Sequence, residues 1–378
     1  NAYRNTSKNG AELDRGSARE ALYRVEWSYA PSARVTFDGG GQAGRSAAKK
    51  RGRQIRSATQ VDILEDFSAA ALTGSAFIEA HVPVKTATMT AGGRIDHWAL
   101  TQDTQASPWL QIAWPASGTV TLRAGGGIYR QDPSFLQTKG LRGTPGLVPE
   151  QAAQFDAAVE GRFGRGLKWQ ITGYAREDRD LIRLPDSEFR IVNGQLAFPS
   201  TTSRYQNALD GHSRGVEILL QRRSPNGLAG WVSYALSSTK YHDRLSGETF
   251  WGDWDQRHTV NAYGSYRFGA KFSASTRFRY GSNFPAVGYW EERDGRNFVS
   301  SVRNTLRVKP YSRLDMRVNR TFAWEQKRLT LYVEVINVYD RSNLRFASAG
   351  INGRTFEAFG LFDKMFPRIP SVGFLLEF

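Results

Sequence analysis

Apolar and polar residues alternate with a period of two along nearly the whole chain, and few folds absorb that pattern over such a length. In 313–322, Leu314, Met316, Val318 and Phe322 alternate with Arg313, Asp315, Arg317 and Asn319. In 271–280, Phe272, Ala274, Phe278 and Tyr280 alternate with Lys271, Ser273, Ser275, Arg277 and Arg279. Segments 154–163 and 329–335 repeat it. Successive side chains of a strand point to opposite faces, so each segment reads as a strand with one apolar and one charged face. No apolar run approaches the ~18 residues a membrane-crossing helix needs, which excludes a helical membrane protein. The 37 Gly, 22 Phe, 15 Tyr and 10 Trp suit many strands and tight turns better than helices.

Connection lengths narrow the choice. Short turns such as FGRGLK, SPNGLA, RFGAKF, AWEQKR and WPASGT alternate with long polar excursions through 41–57, 131–150, 184–210, 285–310 and 341–367. Outer-membrane barrels place short turns on one rim and long loops on the other, whereas a sandwich mixes them. That rule predicts about 15 strands: 21–30, 33–44, 61–82, 87–99, 106–115, 118–130, 151–163, 167–183, 211–223, 228–242, 256–269, 271–284, 311–323, 327–340 and 369–378. The last presents Val372, Phe374, Leu376 and Phe378 on one face, as a closing strand facing lipid and read by the outer-membrane assembly machinery would. An all-β antiparallel transmembrane barrel is the expected fold. Single-chain bacterial barrels have even strand numbers. An odd count therefore implies that residues 1–378 are the C-terminal portion of a larger barrel, its first strands and any N-terminal plug lying outside this chain.

Several stretches resemble one family. LVPEQAAQFDAAVEGRF (147–163) looks like the leucine-x-proline-glutamate segment that opens a mid-barrel strand in TonB-dependent outer-membrane receptors, and LKWQITGYAREDRDLI (167–182) resembles the strand after it. FWGDWDQRHTVNAYGSYRF (250–268) resembles their aspartate-x-x-histidine strand start. LTLYVEVINVYDRSN (329–343) resembles the asparagine-bearing penultimate strand, and RIPSVGFLLEF (368–378) the closing one. The resemblance covers roughly 60 to 378. It implies a 22-stranded barrel filled by a plug, in the bacterial outer membrane. Such a receptor takes up a scarce ligand of siderophore, cobalamin or oligosaccharide type with energy relayed by TonB, and is not an enzyme. Two alternatives stay open: a passive porin-like channel of 16 strands, if 61–82 is split, and a secreted β-sandwich binding module.

The formal charge of +15, with a sequence pI near 10.0, favours anionic partners and departs from the acidic receptor the family suggests. Lys49, Lys50, Arg51, Arg53 and Arg56 form a basic run in an expected outer loop. No recognition helix or aromatic RNA-binding motif accompanies it, so lipopolysaccharide phosphates or plain solvation fit better than nucleic acid. The expected lumen face carries Arg94, Arg123, Arg162, Arg176, Arg267, Arg277, Arg279, Arg313 and Arg317 with Glu79, Asp96, Asp156, Glu160, Glu217, Asp315 and Glu334. These either pair with one another or line a ligand path. The candidate ligand contacts are Arg277, Arg279, Arg313 and Arg317 on that wall and Trp251, Trp254 and Trp290 in outer loops, where aromatics can stack on a ligand or anchor the loops. Tyr289 shares that loop position.

No catalytic group, metal ligand set or cofactor is expected. With no cysteine, thiolate sites are excluded. His81, His97, His212, His242 and His258 lack a second His or Cys at ligand spacing. Asp96 and His97 are adjacent in a strand and so face opposite ways. The triplets Gly39-Gly40-Gly41 and Gly125-Gly126-Gly127 lie in expected strands without a phosphate-binding Lys-Ser/Thr after them.

Overall fold

The computed structural model describes residues 2–6, 12–55, 61–164, 166–224, 227–347 and 349–378. Strands β1 (Ala2–Thr6), β2 (Glu12–Tyr29), β3 (Thr36–Ile55), β4 (Val61–Val84), β5 (Ala87–Trp98), β6 (Asp103–Pro115) and β7 (Val120–Gln131) each pair antiparallel with the next. A one-turn helix, α1 (Phe135–Lys139), precedes β8 (Glu150–Phe163) and β9 (Leu167–Arg183), which continue the ladder. After a loop hairpin of β10 (Arg190–Val192) and β11 (Gln195–Ala197) come β12 (Gln206–Arg222) and β13 (Gly227–Asp243). The short β14 (Thr249–Trp251) pairs with the far end of β13, whose main partner is β15 (His258–Arg267), followed by β16 (Phe272–Gly281). A second loop hairpin, β17 (Trp290–Arg293) and β18 (Arg296–Val299), leads to β19 (Tyr311–Trp324) and β20 (Lys327–Ile336). Short strands β21 (Leu344–Phe346), β22 (Gly350–Ile351), β23 (Glu357–Phe359) and β24 (Phe362–Lys364) precede β25 (Ile369–Glu377), which pairs with β20.

One continuous antiparallel sheet of 17 strands results, ordered by sequence. Among the described residues the ladder strands form this one sheet rather than two packed face to face, so the sandwich alternative falls. All 15 expected strands are present, and β4 is one strand rather than two. The differences are largest at the N-terminal end. β1 adds a strand ahead of the expected first, running opposite to β2. β2 begins at Glu12 rather than 21, and β3 runs on to Ile55, so most of 41–57 is ladder and not an outer loop. This part of β3 is mostly Gly, Ala, Ser, Gln, Lys and Arg, without apolar alternation. A strand that extends past the lipid band has no greasy face to encode, so periodicity cannot find it.

Register assigns the faces, since directly paired residues share one. Following the pairs from β2 to β25 puts all sixteen charged residues expected in the lumen on the same face. The opposite face carries Val372, Phe374, Leu376 and Phe378, all exposed, with Phe378 93% accessible. Aromatics gather on that face at the short-turn rim: Trp27, Tyr29, Trp114, Phe163, Phe268, Trp324 and Phe378, as in an interfacial girdle. Arg320 also falls there, and its guanidinium lies 5.2 Å from the Phe272 ring and 4.8 Å from the Phe322 ring. Such stacking lets an arginine sit at a headgroup level while shielding its stem.

Connections of a few residues (85–86, 116–119, 268–271, 325–326) occupy one rim, and the long ones (132–149, 184–205, 244–257, 282–310, 337–368) occupy the other, together with the short turn 99–102. The buried core is not in the sheet but among those long loops. Trp290, Val299, Leu306, Val308, Ala358 and Leu361 pack there, backed by Phe189, Ile191 and Phe356. A four-stranded sheet, β17-β18-β23-β22, knits 282–310 to 337–368.

Candidate functional site

The lumen wall of β13, β15, β16, β19 and β20 contains a depression of about 460 Å3, lined by Trp231, Tyr263, Arg277, Arg313, Arg317 and Glu334 among others. Three cations of the wall are each bound by a carboxylate two residues along the same face. Arg94 binds Asp96 at 2.8 Å, Arg176 binds Asp178 at 2.7 Å, and Arg313 binds Asp315 at 2.6 Å. Arg123 instead reaches across to Glu160 at 2.8 Å. Arg317 donates to Asn319 at 2.8 Å and lies 3.8 Å from the Tyr332 ring. Register places Arg277 between Tyr263 and Asp315, but Asp315 is occupied by Arg313 and by the Asn337 backbone N–H at 2.9 Å. Among the described residues Arg277 therefore has no hydrogen-bonded or ionic partner. Arg279 pairs in register with Arg313, not with a carboxylate, and is not among the residues lining the depression.

Above the wall, Arg303 joins three loops. It is 9% exposed and makes a bidentate bond to Glu188 at 2.9 and 3.0 Å, plus one to Asp253 at 2.5 Å. Burial opposes its charge, but the two carboxylates more than offset that and hold the guanidinium above its ordinary range. The neighbouring Asn304, fully buried, donates to Trp251 O at 2.7 Å and to Asp253 at 2.8 Å, and accepts from Gly288 N–H at 3.0 Å. Tyr289 donates to Glu248 at 2.9 Å, and burial, with that carboxylate, pushes its phenol up.

The three loop tryptophans part ways. Trp290 is buried in the loop core with its indole N–H on Val287 O at 2.8 Å, which removes it as a stacking face. Trp251 is capped by Lys240 at 4.3 Å and Arg257 at 4.0 Å, so its faces are occupied by cations. Trp254 is 84% exposed and offers its ring freely. The basic run is corrected as well: Lys49, Lys50, Arg51 and Arg53 belong to β3, and Arg56 lies outside the described residues.

The stretches that carried the family resemblance prove to be staples rather than ligand contacts. Glu150 accepts from Ile182 N–H at 2.7 Å. Asp255 accepts from Arg307 at 2.7 Å, Thr239 N–H at 2.8 Å and Arg257 at 3.0 Å. Asn337 donates to Arg341 O and Phe366 O at 3.1 Å each, pinning the last long loop. Burial would raise the Asp255 carboxyl, but these donors more than compensate and hold it below the usual range. Its contribution is complete above the ordinary value of about 3.9 and is lost as pH falls through the lower folded value. Tryptophan fluorescence should thus stay constant from neutral pH to about 4 and change below it. Asp255→Asn should remove that acid transition; an unchanged one would assign it elsewhere.

Sequence reasoning missed Arg303 because its partners stand 115 and 50 positions away. No periodicity carries such a contact. It also missed Asp38, Glu79 and His81, which meet at the short-turn end of the lumen face; Glu-x-His on one face of a strand was the available signal.

A family model for the TonB-dependent receptor-like β-barrel matches residues 2–338. Among solved structures, a ferric enterobactin receptor mutant (PfeA) of Pseudomonas aeruginosa is 16% identical, with a TM-score of 0.71, over 98% of this chain and 55% of its own. The FrpB iron transporter of Neisseria meningitidis is 12% identical, with a TM-score of 0.68, over 97% and 57%. The copper transporter OprC is 14% identical, with a TM-score of 0.66, over 98% and 58%. The chain thus spans a little over half the length of these structures.

Proposed function

This chain belongs to the TonB-dependent receptor family, whose place is the bacterial outer membrane, and from that premise we propose that it forms the later staves of a receptor importing an anionic metal chelate of siderophore type. The importer is energised through TonB by segments outside this chain. The observation that carries the ligand class is Arg277, a cation facing the lumen depression without a hydrogen-bonded or ionic partner among the described residues, while its neighbours Arg313 and Arg317 are engaged. An exposed guanidinium without a carboxylate beside it attracts carboxylate, hydroxamate or catecholate oxygens. The exposed ring of Trp254 supplies a stacking surface among the long loops. A ferric enterobactin receptor and an iron transporter among the structural neighbours agree with this reading.

Binding of ferric chelates of the three oxygen classes to the detergent-folded protein, followed by tryptophan quenching, tests it. Arg277→Ala should weaken the best chelate about 10- to 100-fold, the range expected for losing one charge-assisted hydrogen bond of 1.5–3 kcal/mol. Arg94→Ala, at a paired position elsewhere on the wall, should leave affinity unchanged. Chelate binding indifferent to Arg277, or preference for neutral oligosaccharides over every anionic chelate, would overturn the assignment.

A further inference from the structure

We propose that Asp38, Glu79 and His81 form a binding site for a divalent cation of the zinc class on the lumen face, beside the short-turn rim. The site is independent of the chelate reading, since none of its groups touches the wall around Arg277. Asp38 lies near the start of β3 and Glu79 and His81 near the end of β4, and register pairs Asp38 with Glu79 and Thr36 with His81. Pairing brings the side chains from two strands to one point although they are far apart in sequence.

Distances are those a small cation needs. His81 Nε2 stands 3.0 Å from Asp38 Oδ2 and 3.3 Å from Glu79 Oε1, and all three ligand atoms lie within 4.8 Å of one another. Zinc bonds of ~2.0–2.1 Å to nitrogen and oxygen in a tetrahedron put neighbouring ligand atoms about 3.3 Å apart. Three vertices are thereby supplied, and the fourth is left for water. One imidazole with two carboxylates suits a borderline transition ion. Calcium takes six to eight oxygens, and magnesium an octahedron of them.

The surrounding groups orient the ligands as outer partners do in metal sites. His81 Nδ1 is 2.9 Å from the Thr90 hydroxyl, and donation to that oxygen leaves the Nε2 lone pair aimed at the carboxylates. The Trp109 indole N–H donates to Glu79 Oε2 at 3.2 Å, which leaves Oε1 for the ion. Gly92 makes this reach possible: a Cβ there would collide with the Trp109 ring and with Glu79. All three ligand residues are half-buried, so a bound ion would keep access to the lumen. The competing account is an ordinary ion pair, with a protonated His81 between two carboxylates.

Zinc chloride titrated into the full chain folded in detergent, against a fluorescent zinc chelator, separates the two. One equivalent should bind saturably, and cobalt(II) in its place should give the visible absorption of a tetrahedral site. His81→Ala should abolish the site, and Asp38→Asn or Glu79→Gln should weaken it at least about 10-fold. Thr90→Val, which keeps all three ligands, should cost about 10- to 100-fold. His97→Ala, on the other face, should bind as the parent does. Heat-modifiable gel mobility reports folding in every variant, and if His81→Ala fails it, Thr90→Val decides. Absence of one-equivalent binding by the folded parent, or binding untouched by His81→Ala and Thr90→Val, would leave the ion pair as the whole explanation.

Discussion

Arg303→Ala should loosen the long-loop cluster while leaving the strand ladder intact. Arg303 is the only donor among the described residues that bonds both Glu188 and Asp253, and its loss strands Glu188 and leaves Asp253 with only the Asn304 amide. Removing one partner of a buried ion pair costs about 3–5 kcal/mol. Glu188 and Asp253 are 29% and 35% exposed and regain some water, so about 2–3 kcal/mol is the better figure. Hydrogen exchange should then speed up about 30- to 150-fold at the protected amides of 184–205, 244–257 and 282–310, the rate equivalent of that free energy. Amides in β5 to β9 should keep the parent rates. A uniform loss of protection through both regions would mean that loops and ladder unfold as one unit.

The two regions can be separated because they are held together by different forces. In the ladder, backbone hydrogen bonds to neighbouring strands dominate and the apolar side chains face outward. In the loops, Val299, Val308 and Leu361 are buried as in a small soluble domain. That core is formed by hairpin β17-β18 and strands β22 and β23, contributed by two loops, with the 184–205 loop attached through Ile191 N–H to Ser300 O at 2.9 Å. Arg303 and Asn304 then bind 244–257 to it. A preorganised loop cluster of this kind spares a ligand the entropy of ordering four long segments.

What the sequence made legible follows from where physics is local. Alternation is a property of each strand, so β5 to β9, β12, β13, β15, β16, β19, β20 and β25 could be traced to within about five residues and their lumen faces assigned, Arg313 and Glu334 among them. Where β2 and β3 run past the lipid band the two faces no longer differ in solvent, and the trace stopped early. The loop site depends on partners brought together only by the finished ladder. Trp290 and Trp254 look alike as aromatic residues in polar loops, yet one anchors the core and the other faces solvent. Only the pairing of β17 with β18, which the alternation does not announce, distinguishes them. Asp38 and His81 likewise became neighbours through the register of β3 on β4.

Val232→Arg should destabilise the inserted sheet, whereas Ser233→Arg, one residue along the same strand, should be tolerated. Val232 pairs with Ala262 and Leu220 on the face shared with the aromatic girdle, and it is exposed. Six residues into β13, it lies within the apolar band, where arginine costs about 2–4 kcal/mol near the midplane and less toward either interface. Ser233 pairs with Asn261 and Leu219 on the lumen face, where water or protein solvates a guanidinium, and Glu217 on the adjacent strand is close enough to compensate the charge. Refolding into bilayers of defined thickness, with urea titration, measures both. The first variant should shift the unfolding free energy by that amount, and the second by under about 1 kcal/mol. Because the two side chains differ only in the face they occupy, equal penalties would mean that this sheet does not divide lipid from lumen. A penalty on Ser233→Arg alone would mean that the faces are the reverse of those assigned, and with them the exposure of Arg277 to ligand.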